Sequence, residues 1–175
     1  WAGTLREAGG GRRGRRAGPT TCAPADHRLA GLLAGCEGGG VEPVGVERGD
    51  FGGESGVEGT RRLRAARPDL DGVVAANDLM AVGALRALAA AGRAVPADVS
   101  VIGFDDGVVA ATSDPPLTTV RQPFAEQGTA AAELVLALLA EGEGDGESDG
   151  DAGGPHKRAA RGVAIPTTLT MRASI

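Results

Sequence analysis

The stretch GVVAANDLMAVGAL, residues 72–85, decides the reading of the fold. An apolar run ends on Asn77-Asp78 and passes straight into a segment dense in helix formers, with no loop between. Leu70 to Ala76 has the length of a buried strand. Leu79 to Ala91 reads as a helix, with Leu79, Val82, Leu85 and Leu88 setting its apolar face, Arg86 among them, and Gly92 as its stop signal. After Pro96, a second apolar run covers Val99 to Phe104. Strand, helix and strand with such short connections predict a βαβ unit and therefore a parallel sheet. In such a sheet the strand C-termini share one edge, and ligands bind in the crevice outside it. Asn77 stands at one strand end and Asp105 at another. Asn77 and Asp78 can cap the helix that follows, or one of them can face the crevice.

The same rhythm continues outward. Residues 25–38 predict a helix with Leu29, Leu32, Leu33 and Cys36 on one side. Val41 to Val46 predicts a strand, and Glu54 to Arg67 a helix that stops before Pro68. Downstream, PPLTTVRQP predicts an extended segment, Ala125 to Glu141 an apolar helix, and residues 163–171 a last extended stretch. The acidic, glycine-rich segment 142–162 cannot bury enough apolar surface to offset its ordering entropy and predicts a solvated loop. Its acids lack the ligand spacing of an EF-hand, so no metal site is expected.

Composition sets the limits. The chain has 175 residues, 42% hydrophobic and 23% charged, as an ordinary globular protein does. With Trp1, Phe51, Phe104 and Phe124 its only aromatics, the core must come from Ala, Val and Leu. A formal charge of −5 argues against bulk electrostatic binding of DNA. No apolar run reaches the roughly 18–20 residues of a membrane span. Cys22 and Cys36 have neither disulfide-framework nor zinc spacing. His27 and His156 have no partner spacing, and neither is expected to act as a base or ligand. GxSxG, P-loop and GxGxxG patterns are absent, so no enzyme, catalytic residue or cofactor is expected. Lacking an initial Met and a signal pattern, the chain reads as a cytoplasmic piece of something longer.

Residues 68–106, followed by DPPLTTVRQP (114–123), closely resemble the effector-sensing domain of LacI/GalR-family transcription regulators. The resemblance extends upstream through DHRLAG (26–31) and ERGDFGGESG (47–56), and downstream through IPTTLTMRAS (165–174). It implies an α/β fold of the type I periplasmic-binding-protein kind, a Rossmann-like parallel-sheet lobe with part of a second lobe. By that layout residues 1–11 are a remnant of the first lobe and 12–121 the C-terminal lobe. Residues 122–175 hold the crossover, the returning helix, the acidic loop and the final strand.

From spacing alone, Arg28 reads as a solvent-facing helix residue and Phe51 as core. The resemblance instead implies effector contacts at Arg28, Phe51, Asn77, Asp105 and Gln122. It further implies a small-molecule effector, often a sugar, homodimerisation, and DNA recognition through a helix-turn-helix head that this chain does not contain. A transporter's sugar-binding protein and an inactive regulator fragment are the alternatives. One departure stands out: Arg12, Arg13, Arg15 and Arg16 replace the apolar strand usual before AGP, and a central strand cannot bury four unpaired arginines.

Overall fold

The computed structural model describes residues 23–41, 43–142 and 162–175. The arginine-rich segment, the proposed remnant 1–11, Cys22 and nearly all of the acidic loop lie outside these residues. The elements run α1 (Ala23–Gly38), α2 (Gly53–Ala66), β1 (Gly72–Val74), α3 (Asp78–Ala89), β2 (Ser100–Asp105), α4 (Val108–Thr112), β3 (Thr118–Arg121), α5 (Phe124–Gly142) and β4 (Thr168–Thr170). The chain divides into two compact units, residues 1–121 with 168–175, and residues 122–167. The final strand therefore belongs with the first unit, although the chain reaches it only after the second.

The βαβ expectation holds. β1 pairs parallel with β2 from Gly72↔Ser100 to Val74↔Ile102. β2 pairs parallel with β3 from Ile102↔Thr118 to Asp105↔Arg121, and β4 closes the order antiparallel to β3. Below this sheet α3 buries Ala81, Ala84, Leu85 and Leu88 against Val73, Val99, Val101 and Leu117. The C-terminus completes the layer: the buried Ser174 hydroxyl donates to Val101 O at 2.6 Å and accepts from Thr118 N–H at 2.8 Å.

Each helix boundary has a local cause. α2 ends at Ala66 and is capped by Arg67, just before Pro68, with Arg67 N–H bonded to Leu63 O. α3 closes through a left-handed Gly92 (φ 69), whose N–H reaches Ala89 O while Arg93 N–H reaches Leu88 O. The core face of α3 differs from the one read in the sequence, because Leu79 is 51% exposed. The reason is close packing against α2. Gly56 lies against the Met80 backbone and Gly83 against the Gly53 carbonyl, so α3 turns its small residues to α2.

Two local expectations fail. Val41 to Val46 forms no strand in its described residues, and Val44 and Val46 are exposed. Val41 is recruited to finish α1, its N–H bonding Cys36 O beside a left-handed Gly40, and Pro43 has no N–H for a ladder. The short helix α4 went unread because VVAAT is rich in β-branched residues. In the second unit, α5 leaves Phe124, Val135, Leu136 and Leu139 more than half exposed.

The glycine contact between α2 and α3 gives a direct test. A Cβ at residue 83 would run into the Gly53 carbonyl oxygen. Gly83→Ala is expected to cost about 1–3 kcal/mol of stability in urea unfolding, the usual range for overpacking. A stability equal to wild type would contradict this close approach.

Candidate functional site

Three residues past the end of β1 the chain reaches Asn77, which is buried at 7% exposure with extended backbone. Its Oδ1 accepts from Met80 N–H at 2.9 Å and so caps α3. Its Nδ2 donates to Phe51 O at 2.9 Å. The two ends of one amide thus join the start of α3 to the loop before α2. Phe51 itself has φ 67, a left-handed conformation costly to a residue with a Cβ, and the Asn77 bond helps to hold it.

Asp78 turns the other way, into the protein, and is 2% exposed. Its Oδ1 accepts from the Thr119 hydroxyl at 2.6 Å, and its Oδ2 from Gly107 N–H at 2.8 Å. One carboxylate therefore ties α3 to β3 and to the turn after β2. Gly103 makes room for it, since a side chain there would meet Asp78 Oδ1 and Leu117. Burial pushes the Asp78 carboxyl above its ordinary value, with smaller upward pushes from the charges of Asp105 and Asp106. The bonds from Thr119 and Gly107 pull it back.

β2 ends on two successive left-handed residues, Asp105 (φ 119) and Asp106 (φ 60). Their side chains diverge. Asp105 Oδ1 lies 3.7 Å from Arg28 Nη2, whereas Asp106 Oδ1 accepts from Arg172 Nη2 at 2.6 Å. Arg28, reaching across from α1, donates from Nη1 to Ala76 O at 2.6 Å and lies over the Phe104 ring, 4.1 Å from its centroid. One guanidinium thus touches the end of β1, the end of β2 and an aromatic face.

Of the five residues singled out in the sequence, four belong to one linked set. Arg28 connects Ala76 with Asp105, and Asn77, next to Ala76, connects to Phe51. Gln122 lies in the second unit and is half-buried there. Sequence reasoning missed Phe104, Thr119 and the Asp106–Arg172 pair, and it gave Asp78 only as a helix cap or a crevice-facing group. Thr118 and Thr119 carried a readable signal: two hydroxyls on a strand buried by prolines and apolar residues need partners.

The set is polar, charged and only partly exposed, with side-chain exposures of 22% for Arg28 and 29% for Asp105. It offers a guanidinium fork, a carboxylate and a ring face, groups suited to vicinal hydroxyls and the C–H face of a sugar. The second unit holds a different feature, a groove of about 350 Å³ between α5 and Val163–Ile165, lined among the described residues by apolar side chains and Gln127. Among the described residues no cluster of His, Cys, Asp and Glu could hold a metal ion.

Comparison with known proteins bears on this geometry. Residues 6–175 match a family model described as a periplasmic binding protein-like domain. The HTH-type transcriptional regulator CelR of Thermobifida fusca is 43% identical over 125 residues, 69% of this chain and 36% of that protein. The structure of a CelR–cellobiose complex superposes with a TM-score of 0.72 at 36% identity, covering 85% of this chain and 42% of that one. A Lac repressor dimer bound to operator and the anti-inducer ONPF gives a TM-score of 0.72 at 28% identity, covering 86% and 48%. The chain spans less than half the length of each of these proteins.

Asp78 yields a signed prediction. Its raised folded value means that the folded protein holds the proton more tightly than the unfolded chain does. That contribution to stability is fully present below the ordinary value of 3.8 and is lost as pH rises through the raised one. Thermal unfolding of wild type should therefore lose ground to Asp78→Asn as pH is raised from 3.8 toward neutrality. Parallel curves for the two proteins would show that Asp78 is not the group responsible.

Proposed function

The chain belongs to the periplasmic binding protein-like domain family, and we propose that it is the effector-sensing domain of a LacI/GalR-type transcription regulator. Its relatives are LacI-family helix-turn-helix regulators, aligned with it over the sensing domain. The effector in this reading is a small carbohydrate. The observation that carries it is the Arg28 guanidinium joined to Ala76 O, Asp105 and the Phe104 ring at the C-terminal edge of the sheet.

The chemistry follows from those groups. Arg28 and Asp105 supply donors and acceptors for neighbouring hydroxyls, and Phe104 or Phe51 supplies an apolar face for the ring carbons. Asn77 contributes by fixing the Phe51 carbonyl, and Gln122 is proposed as a further effector contact. The domain binds without turnover and uses no cofactor. DNA is contacted only by the helix-turn-helix head of the longer regulator, from the cytoplasm. Among the described residues no helix is long and apolar enough to cross a membrane. A homodimer built on α2 and α3 would carry the signal, and the Lac repressor bound to its operator is a dimer. The effector can act only by its differential affinity for two arrangements of the domain.

A transporter's sugar-binding protein has the same fold, and the family's description favours it as the second reading. It predicts sugar binding with no effect on DNA in the longer protein.

Thermal unfolding of the full chain with cellobiose, ribose and lactose tests the proposal. A bound sugar at about 100 times its Kd should add roughly 2.7 kcal/mol and raise the midpoint. Arg28→Ala or Asp105→Ala should abolish the rise. Equal midpoints with every sugar, or a rise that survives both substitutions, would refute a sugar site at these strand ends.

A further inference from the structure

Resting on that reading, we propose that Arg172, acting through Asp106, is the positioning residue that holds Asp105 toward the effector. The turn from Asp105 to Gly107 needs an external hold, because Asp105 and Asp106 both occupy the left-handed region that favours glycine. Such backbone conformations persist at residues with a Cβ only where neighbouring bonds hold them.

The hold comes from residues far along the chain. Arg172 Nη2 donates to Asp106 Oδ1 at 2.6 Å and the Thr170 hydroxyl to Asp106 Oδ2 at 3.2 Å. Asp106 N–H donates to Thr119 Oγ1 at 3.3 Å, and Gly107 N–H to Asp78 at 2.8 Å. Arg172 is itself pinned, Nη1 donating to Leu117 O and its N–H to Thr118 Oγ1, both at 2.8 Å. The Arg172–Asp106 pair is well shielded, with side-chain exposures of 21% and 13%. Asp106 is thus fastened on the β3–β4 side, which leaves Asp105 facing Arg28. Arg172 never meets the effector in this arrangement. It lies two residues past β4, on the chain that has returned from the second unit.

The arrangement also gives the C-terminal segment a use beyond closing the sheet. β4 pairs Thr168 with Arg121, the residue at which the chain leaves the first unit. The segment that leads to Arg172 is thus anchored beside β3.

Amide hydrogen exchange by NMR on the sugar-free chain tests the proposal, with Arg172→Met, Arg172→Lys and Asp106→Asn compared with wild type. Arg172→Met and Asp106→Asn should speed exchange at Asp106 and Gly107 by about tenfold or more, while Ala75, bonded to Ile102 O, keeps its wild-type rate. Arg172→Lys, which keeps the charge, should restore most of the protection. Affinity for whichever sugar wild type binds should fall by about tenfold in Arg172→Met and recover in Arg172→Lys. Unchanged exchange at Asp106 and Gly107, or an equal acceleration at Ala75, would overturn the positioning role. So would wild-type sugar affinity in a variant whose turn has loosened. If wild type binds none of the sugars, the carbohydrate reading fails by itself, and the exchange pattern still decides whether Arg172 holds the turn.

Discussion

Parallel pairing of β1, β2 and β3 is the constraint on which the rest of this structure depends. It forces the chain to leave each strand at the same edge, so the residues after Val74, Phe104 and Val120 are neighbours although they are far apart in sequence. Parallel pairing alone leaves that edge loose. Asp78 fixes it, because a carboxylate at 2% exposure cannot forgo either of its donors without a large desolvation cost. Its two oxygens reach Thr119 on β3 and Gly107 after β2, so the first turn of α3, which follows β1, is fastened to β3 and to the turn after β2.

On this fixed edge the charges are arranged in two layers. Asp78 and the Asp106–Arg172 pair lie inside and serve the fold. Arg28 and Asp105 lie outside, partly exposed, and are loosely paired at 3.7 Å. The hydrogen bond from a charged donor to Ala76 O is worth about 1.5–3 kcal/mol and the ring contact about 0.5–2 kcal/mol. An incoming hydroxyl compound can share or replace these contacts at moderate cost, while the tightly bonded inner layer keeps the geometry.

The sequence carried the architecture well and the side-chain network poorly. The apolar run to Ala76, the helix formers after Asp78 and the run to Phe104 each matched an observed element, since buried strands and helices are written in local periodicity. The strand expected at Val41 to Val46 failed because Val41 was needed to close α1, a competition that periodicity does not register. Asn77 and Asp78 were read as interchangeable, one to cap and one to face the crevice. They proved to divide the work differently, because Asp78 answers to Thr119 and Gly107, residues 41 and 29 positions away. Such pairings become visible only when the sheet register is known. Arg28 was legible only through its resemblance to a known motif, as its own helix gives no reason to turn it inward.

The central claim is that side chains from separate strand ends form one hollow for a carbohydrate, and amide chemical-shift mapping during a sugar titration tests it most directly. The account predicts that the shifts cluster at Arg28, Phe51, Ala76 to Asp78 and Phe104 to Gly107. Shifts gathered instead on α5 and Val163 to Ile165, or none with any sugar, would contradict it.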